Sequence, residues 1–166
     1  MRSHRREFES VYKKYADAIF RYLYYRLQNR ERALELVQEV FTRYWQYLLA
    51  GKKIENSKAF LYRSAANAFV NEIRTNKREV SLDEMLKVGF EVRYEDAEIM
   101  MIAPQEQVVQ RLKGISERYR EVLVMRYIEE MKVKEIAQIL GTSENNISAR
   151  ISRGLKQLRK IYEQDA

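Results

Sequence analysis

A run of polar and cationic side chains near the end of the chain carries the groups that read bases in DNA. The run begins at Ser143, and its members recur along one face of a predicted helix. Amides and hydroxyls hydrogen-bond to base edges, arginine and lysine bind bases or phosphates, and a small residue lets the backbone approach. The candidate DNA-reading residues are Ser143, Glu144, Asn145, Asn146, Ser148, Ala149, Arg150, Ser152, Arg153 and Lys156.

A helix-turn-helix would present this face. Gly141 suits the left-handed conformation that ends a helix, and Ser143 is expected to cap the next one, where Glu144 favours the positive end of the helix dipole. The inward residues expected in the first helix are Ile136, Ala137, Ile139 and Leu140; those in the second are Ile147, Ile151, Leu155 and Leu158. A second helix of this type fits the major groove.

A second polar stripe lies on a helix predicted over residues 58–75, with Ser57 expected as its cap. Its members are four, four and three residues apart, and so share one side: Arg63, Asn67, Asn71 and Arg74. A merely solvated face would carry more Glu and Lys, because Asn is a mediocre helix former. The stripe therefore favours contact with nucleic acid.

An acidic stripe marks the helix before it, predicted over residues 33–48. Its members, also at three-four spacing, are Glu35, Gln38, Glu39 and Thr42. Carboxylates repel phosphates, so this stripe is a poor DNA surface. It either faces water or meets a basic protein partner, and the residues alone leave both alternatives open.

Apolar residues at helical spacing predict the remaining elements, which makes the fold class all-α. The first helix runs over residues 8–27, and Pro104 is suited to begin another helix that carries Val108, Val109 and Leu112. A further helix is expected over residues 117–129, and a short one over 82–88. The residues expected inward are Val11, Tyr12, Tyr15, Ile19, Phe20, Leu23, Tyr24, Leu27, Leu34, Val37, Phe41, Tyr44, Trp45, Ala59, Phe60, Leu61, Ala65, Phe69, Val70, Ile73, Val122, Leu123 and Tyr127.

Charge divides the chain into three parts. Residues 1–79 hold 17 Lys and Arg against 9 Asp and Glu, a net +8, whereas residues 80–110 hold 2 against 7, a net −5. Residues 111–166 return to 12 against 8, a net +4. This pattern predicts two small basic helical domains, 1–79 and 104–166, that each approach a polyanion, joined by a flexible acidic linker over 80–103.

Several functional classes find no support. The chain has no Cys, a single His at position 4, no phosphate-cradling Gly loop and no zinc motif, so we expect no catalytic site, no metal, no cofactor and no small-molecule substrate. No apolar run approaches the roughly 20 residues that cross a bilayer, and no signal peptide is evident. We expect a soluble, cytoplasmic protein that is not an enzyme.

The whole chain resembles a bacterial sigma factor of the extracytoplasmic-function group, with a region-two module, a variable linker and a region-four module. The segments that carry the resemblance are 36–41 (LVQEVF) followed by Trp45, 59–67 (AFLYRSAAN) through Arg74, and 119–123 (YREVL) through 135–137 (EIA). Their order and spacing make the resemblance strong.

The resemblance implies a function and partners. The acidic stripe would contact the beta-prime coiled coil of core RNA polymerase, and the beta flap is a further expected contact on the polymerase. The stripe of Arg63, Asn67 and Asn71, with the loop before Ser57, would open and read the minus-10 promoter element, a flipped base being held by the loop. The helix over 144–153 would read the minus-35 element. Many such sigma factors are held inactive by an anti-sigma factor, often membrane-bound.

The chain departs from the family pattern at a few positions. Asn71 stands where Asp is usual, and Ser116 where a Pro commonly starts the region-four helix. Glu130 and Lys132 replace a Gly and a small capping Ser before the segment 135–137, so that turn is expected to lack its ordinary cap.

Two other functions compete with this reading. An ordinary helix-turn-helix regulator would bind duplex operators without polymerase, but it would leave the acidic stripe and the second basic module unexplained. A sigma mimic that only sequesters an anti-sigma factor would tolerate loss of base-reading residues, whereas Asn145, Asn146, Arg150 and Arg153 are all present.

Overall fold

The structure is a computed structural model that describes residues 1–83 and 110–165, and every regular element within these ranges is helical. The chain divides into two compact units. The prediction of an all-α protein built from two helical domains is confirmed. The predicted acidic linker beyond residue 83, the short helix over 82–88 beyond its first two residues, and the helix start at Pro104 lie outside the described residues.

Three helices form the amino-terminal unit: α1 (Arg2–Leu27), α2 (Arg30–Leu49) and α3 (Ser57–Asp83). The turn between α1 and α2 is short because Gln28 takes the left-handed conformation, with φ 54°. Asn29 then caps α2, its Oδ1 accepting a hydrogen bond from the Arg32 N–H at 3.0 Å. The third helix continues to Asp83, four residues beyond residue 79, where the first domain is predicted to end.

The core of this unit is largely aromatic. Tyr22, Tyr25, Tyr44 and Tyr62 are fully buried. Arg26 is buried with them: its guanidinium lies 3.6 Å from the centre of the Phe69 ring and donates to the Tyr22 hydroxyl at 2.6 Å. An aromatic face and a hydroxyl offset the loss of water around this cation.

The cap of α3 differs from the prediction. The side chain of Asn56 accepts from the Ala59 N–H at 3.0 Å, so Asn56 is the capping residue. The Ser57 hydroxyl instead hydrogen-bonds to the hydroxyl of Tyr44 at 2.9 Å. The expectation that Ser57 caps this helix is therefore wrong, because its side chain already has a partner in the core.

The helices of residues 117–165, called the carboxy-terminal unit below, are α4 (Glu117–Leu123), a π-helical segment (Val124–Ile128), α5 (Val133–Leu140) and α6 (Glu144–Asp165). Leu112, which precedes them, is buried. Tyr127, expected inward, is 55% exposed, whereas Val124 and Met125 are fully buried. The π-helical turn holds more residues than an α-helical one, so the inward phase shifts along the sequence and Tyr127 falls outside.

The helix-turn-helix capping is confirmed. Gly141 has φ +65°, and the Thr142 N–H returns to the Ala137 carbonyl at 3.0 Å. Ser143 Oγ accepts from the Asn146 N–H at 3.1 Å, as expected of an N-cap.

The start of α5 is held by an acidic residue inside the helix. Glu135 Oε2 accepts from the Lys132 N–H at 3.0 Å, which is one half of a capping box. The turn was expected to lack its ordinary cap, but this side-chain hydrogen bond stabilises it. Glu130 just before it has φ +53°, the conformation that a Gly would adopt without strain.

Four other residues expected inward are exposed at or above a third of their surface: Tyr12, Leu34, Val70 and Leu155. In α6, Ile147 and Ile151 of the predicted stripe are buried, but the next buried position is Gly154 and not Leu155. A Cβ on Gly154 would lie 3.0 Å from Leu123 Cδ1. Because α4 and α6 approach so closely at Gly154, the contact between the two helices passes through this glycine, and the adjacent Leu155 faces outward.

Candidate nucleic-acid and polymerase interfaces

The polar face of α6 is accessible. The exposed members of the predicted set are Ser143, Glu144, Asn145, Ser148, Ser152, Arg153 and Lys156, and the half-buried ones are Asn146, Ala149 and Arg150. Ile147 and Ile151 bury the opposite side, which fixes how the helix rotates about its axis. Amides, hydroxyls and two arginines therefore share the outward face, a set suited to reading base edges.

Arg150 differs from its neighbours on this face. Its Nε is buried, and within residues 110–165 no hydrogen-bond partner for that atom is found. A guanidinium has five donors in a fixed fork, so an outer part of the group can still face a ligand while Nε stays covered. We expect a ligand that accepts hydrogen bonds from the outer N–H groups of Arg150 to hold this side chain in one orientation.

The stripe on α3 is also exposed as the spacing predicts. Arg63, Asn67, Asn71 and Arg74 all lie on the outside of the helix. The neighbouring positions Ala65 and Phe69 are buried, which anchors the inner face. Two cations and two amides thus line one accessible side, where they could bind phosphates and base edges.

The acidic stripe on α2 is exposed at every predicted position: Glu35, Gln38, Glu39 and Thr42. Arg32, one turn earlier, forms an ion pair with Glu35. The stripe therefore carries two carboxylates. That of Glu35 is paired with Arg32, and that of Glu39 lies farther along the same face. A basic protein surface would complement this arrangement.

Arg32 also joins α2 to α3. Its Nε and Nη2 donate to the two carboxylate oxygens of Glu72 at 2.7 and 2.6 Å, a bidentate pair. The Glu72 side chain is only 8% exposed, and these hydrogen bonds, with that to Glu35, raise the pKa of Arg32 above its ordinary value. Forty residues separate the two partners, so no spacing in the sequence could have indicated this contact.

A groove lies between the two stripes. It encloses about 150 Å³ and is lined by both helices, with Glu39 and Arg43 from α2 and Asn71 and Thr75 from α3. Leu36, Val40 and Ala68 form apolar parts of its wall. Within the amino-terminal unit, the groove brings a residue proposed for polymerase contact beside one proposed for DNA.

The described residues contain no cluster of His, Asp or Glu that could hold a metal ion. None of the helices in residues 1–83 and 110–165 combines the length and apolar character needed to cross a bilayer.

Two family profiles match the chain. Sigma-70 region 2 matches residues 11–79, and Sigma-70 region 4 matches residues 105–158. Together they cover most of the chain in the order of the two units.

Curated relatives match nearly end to end. The extracytoplasmic-function (ECF) RNA polymerase sigma factor SigM of Bacillus subtilis is 24% identical over 156 residues, which are 93% of this chain and 94% of SigM. SigW of the same organism is 28% identical over 163 residues, covering 92% of this chain and 87% of SigW.

Solved structures share the fold. The sigma factor RpoE of Bartonella quintana, determined with the anti-sigma factor NepR, superposes with a TM-score of 0.74 at 19% identity, over 96% of this chain and 99% of that one. CnrH, determined with the cytosolic domain of CnrY, gives 0.72 at 20% identity over 98% and 91%. With both sigma-70 regions present in order and relatives of one kind along its length, this chain belongs to the sigma-70 family, in the ECF group of RNA polymerase sigma factors, which are transcription initiation factors and not enzymes.

Proposed function

We propose that this sigma factor binds core RNA polymerase in the cytoplasm, recognises minus-35 and minus-10 promoter elements, and starts transcription of a specific regulon. One observation carries the proposal: in the amino-terminal unit, Glu39 of the exposed acidic stripe and Asn71 of the exposed basic-amide stripe line one groove, and the Arg32–Glu72 pair joins the two helices that carry the stripes. A protein that needed only to bind duplex DNA would have no use for the first stripe.

The polymerase contact is assigned to α2. Glu35, Gln38, Glu39 and Thr42 present carboxylates and an amide on a unit that is otherwise basic, so a basic partner is favoured over DNA. On the family resemblance, this partner would be the beta-prime coiled coil, with the beta flap as a further contact on core polymerase.

The promoter contacts are assigned to α3 and α6. Arg63, Asn67, Asn71 and Arg74 would bind the melted minus-10 element, where unpaired bases expose their hydrogen-bonding edges. The outward face of α6 from Ser143 to Lys156 would lie in the major groove of the minus-35 element. Its capped start and its buried isoleucines hold that face rigidly.

Core binding tests the first assignment. The double change Gln38→Ala and Glu39→Ala should weaken association with core polymerase about tenfold, because two interface residues together contribute roughly 1.4 kcal/mol or more. Glu163→Ala with Gln164→Ala removes a similar exposed pair at the end of α6 and should leave association unchanged. Equal association of both variants would contradict the assignment, and loss of the thermal unfolding transition would show that α2 was given the wrong outer face.

Promoter binding by the reconstituted holoenzyme tests the second. Arg150→Ala should weaken occupancy of a cognate promoter by about 1–3 kcal/mol, the range for a base or phosphate contact. Arg118→Ala, an exposed arginine of the same unit outside the proposed face, is the matched control. Unchanged occupancy with Arg150→Ala would remove this residue from the interface.

We further propose that an anti-sigma factor binds this chain, often a membrane-bound protein in this group. The support is that the sigma factors of similar fold were determined as complexes with NepR and with the cytosolic domain of CnrY. The cytosolic part of a candidate anti-sigma factor should block transcription when it is mixed with the sigma factor before core polymerase is added. Full transcription under that order of addition would count against it as the partner.

A further inference from the structure

Two residues of α1 contact two aromatic rings of α3 in the interior of the amino-terminal unit. Arg26 and Tyr22 lie one turn apart on α1, and the Tyr22 hydroxyl accepts a hydrogen bond from Arg26 Nη1 at 2.6 Å. The Arg26 guanidinium lies 3.6 Å from the centre of the Phe69 ring. The Tyr22 ring meets the Tyr62 ring edge-on, with the centroids 5.4 Å apart. All four residues are at most 5% exposed, so α1 holds α3 at two buried points.

The two contacted rings span the part of α3 that carries the stripe proposed to bind the minus-10 element. Tyr62 and Phe69 are seven residues apart, which is about two turns and roughly 10 Å along the helix axis. Arg63 follows Tyr62 directly, and Asn67 and Asn71 lie two residues before and after Phe69. The rings are buried, and the polar side chains of the same turns are exposed. A slide or rotation of α3 at these rings would therefore move the stripe with it.

Packing of apolar rings alone does not fix the position of α3. The hydrophobic effect has no direction, so ring surfaces keep most of their buried area when they slide past one another. A guanidinium has a planar face and donors at fixed angles, which restricts how it meets a ring face and a hydroxyl together. Burying this cation costs free energy that an apolar side chain of similar volume would not cost. Arg26 therefore contributes more to a unique arrangement of the two helices than to stability.

We propose that Arg26 is a positioning residue for promoter recognition: it sets where α3 lies against α1, and so where Asn67 and Asn71 meet the bases of the minus-10 element. A hydrogen bond to a base requires a donor–acceptor distance of about 2.7–3.2 Å, so a displacement of about 1 Å breaks it. Arg26 itself stays buried and touches no DNA. The inference rests on the proposed function, because Arg26 acts only through residues proposed to contact the promoter.

Relative base preferences test this role, because a smaller folded fraction lowers all transcripts alike and leaves their ratios unchanged. The full chain and core polymerase transcribe a barcoded library with randomised minus-10 and minus-35 positions, and the transcripts are sequenced. Arg26→Met keeps a similar volume without the planar face or the donors. Its preference for the favoured minus-10 bases should fall at least about fivefold, the lower end of the effect of one mismatched base pair. Preferences at minus-35, assigned to α6, should stay unchanged.

Two further variants separate the planar group from its charge and its volume. Arg26→Lys keeps the positive charge but has no planar fork, so minus-10 preferences should fall as in Arg26→Met. Tyr22→Phe removes only the hydroxyl and keeps the ring beside Tyr62, so it should change preferences at the same positions by a smaller factor. If Arg26→Met fails to fold, Tyr22→Phe carries the test, and unchanged preferences in that variant would overturn the inference.

Phe41→Leu is the matched control for a loss of core packing. Phe41 is buried in the same unit, and its ring centroid lies 4.8 Å from that of Tyr12 and 6.2 Å from that of Phe8, both on α1. The change weakens packing between α1 and α2, so it should lower Tm and total transcription without changing base preferences. Equal changes of preference in Phe41→Leu and Arg26→Met would overturn the inference, because any loss of packing would then suffice.

The outcome is separable from that of the proposed function. If the unmodified chain directs no start site with core polymerase, the proposed function fails, and the inference that rests on it fails too. If the unmodified chain shows clear minus-10 preferences and Arg26→Met shows the same ones, this inference alone fails.

Discussion

Glu130 offers a direct measurement of backbone strain in the carboxy-terminal unit. It is exposed and has φ +53°, in the turn between the π-helical segment and α5. A residue with a Cβ in the left-handed region is destabilised by about 1–2 kcal/mol, and a Gly is not. Replacing Glu130 by Gly removes that strain but gives the unfolded chain more freedom, which opposes folding by about 0.5–1 kcal/mol. The net expectation for Glu130→Gly is a stabilisation of about 0.5–1 kcal/mol.

The effect is measurable by thermal unfolding. For a unit of this size each kcal/mol shifts Tm by about 4–8 °C, so Tm should rise by about 2–8 °C. Amide hydrogen exchange of peptides from α4 and α5 places the gain in the correct unit. The adjacent residue is the control: Glu129 has φ −89° and ψ 0°, so Glu129→Gly relieves no left-handed strain and should lower Tm by a similar amount. An unchanged or lower Tm for Glu130→Gly would refute the reasoning.

Three further changes probe the packing that positions the interfaces, each read as a free energy of unfolding from urea titration. Asn56→Ala removes the cap of α3 and should lower stability by about 1 kcal/mol; no change would mean that the loop before the helix is capped by another group. Arg32→Gln leaves the buried carboxylate of Glu72 without its bidentate partner and should lower the free energy of unfolding by about 1–3 kcal/mol. The control Arg5→Gln removes one partner of an exposed pair and should lower it by less than about 1 kcal/mol. Similar values for the two variants would show that the ion pair between α2 and α3 contributes little. Gly154→Leu should cost at least about 1–3 kcal/mol because its side chain would meet the α4 surface; tolerance would mean that α6 can move away.

The sequence predicted the helices and their exposed stripes well because both follow from local periodicity. All four residues of the acidic stripe and all four of the α3 stripe are exposed, since the buried residues between them fix the rotation of each helix. The caps of the helix-turn-helix at Gly141 and Ser143 were predictable for the same reason, because a helix end depends on the few residues beside it.

Errors arose where tertiary packing outweighed the local pattern. Ser57 has the right side chain for a cap, but its hydroxyl bonds to Tyr44, and Asn56 takes the role. Tyr127 fits an α-helical stripe, but the helix widens into a π-turn ahead of it. Leu155 lies next to a seam that only a glycine permits.

The contacts that join elements were not predictable at all. Arg32 and Glu72 lie far apart in the chain and pair only after α2 and α3 pack. Burial of Arg26 against Phe69 likewise runs against the usual preference of arginine for the surface. The division into domains at 1–79 and 104–166, and the individual base and polymerase contacts, stay predictions.

Transcription in vitro tests the central claim most directly. The protein is added to core RNA polymerase on a library of bacterial promoter fragments, and the transcripts are sequenced. The account predicts defined start sites that appear only with the protein and share two upstream elements. Absence of such sites, combined with no binding to core polymerase and tight binding to duplex fragments alone, would contradict it in favour of a helix-turn-helix regulator that acts without polymerase.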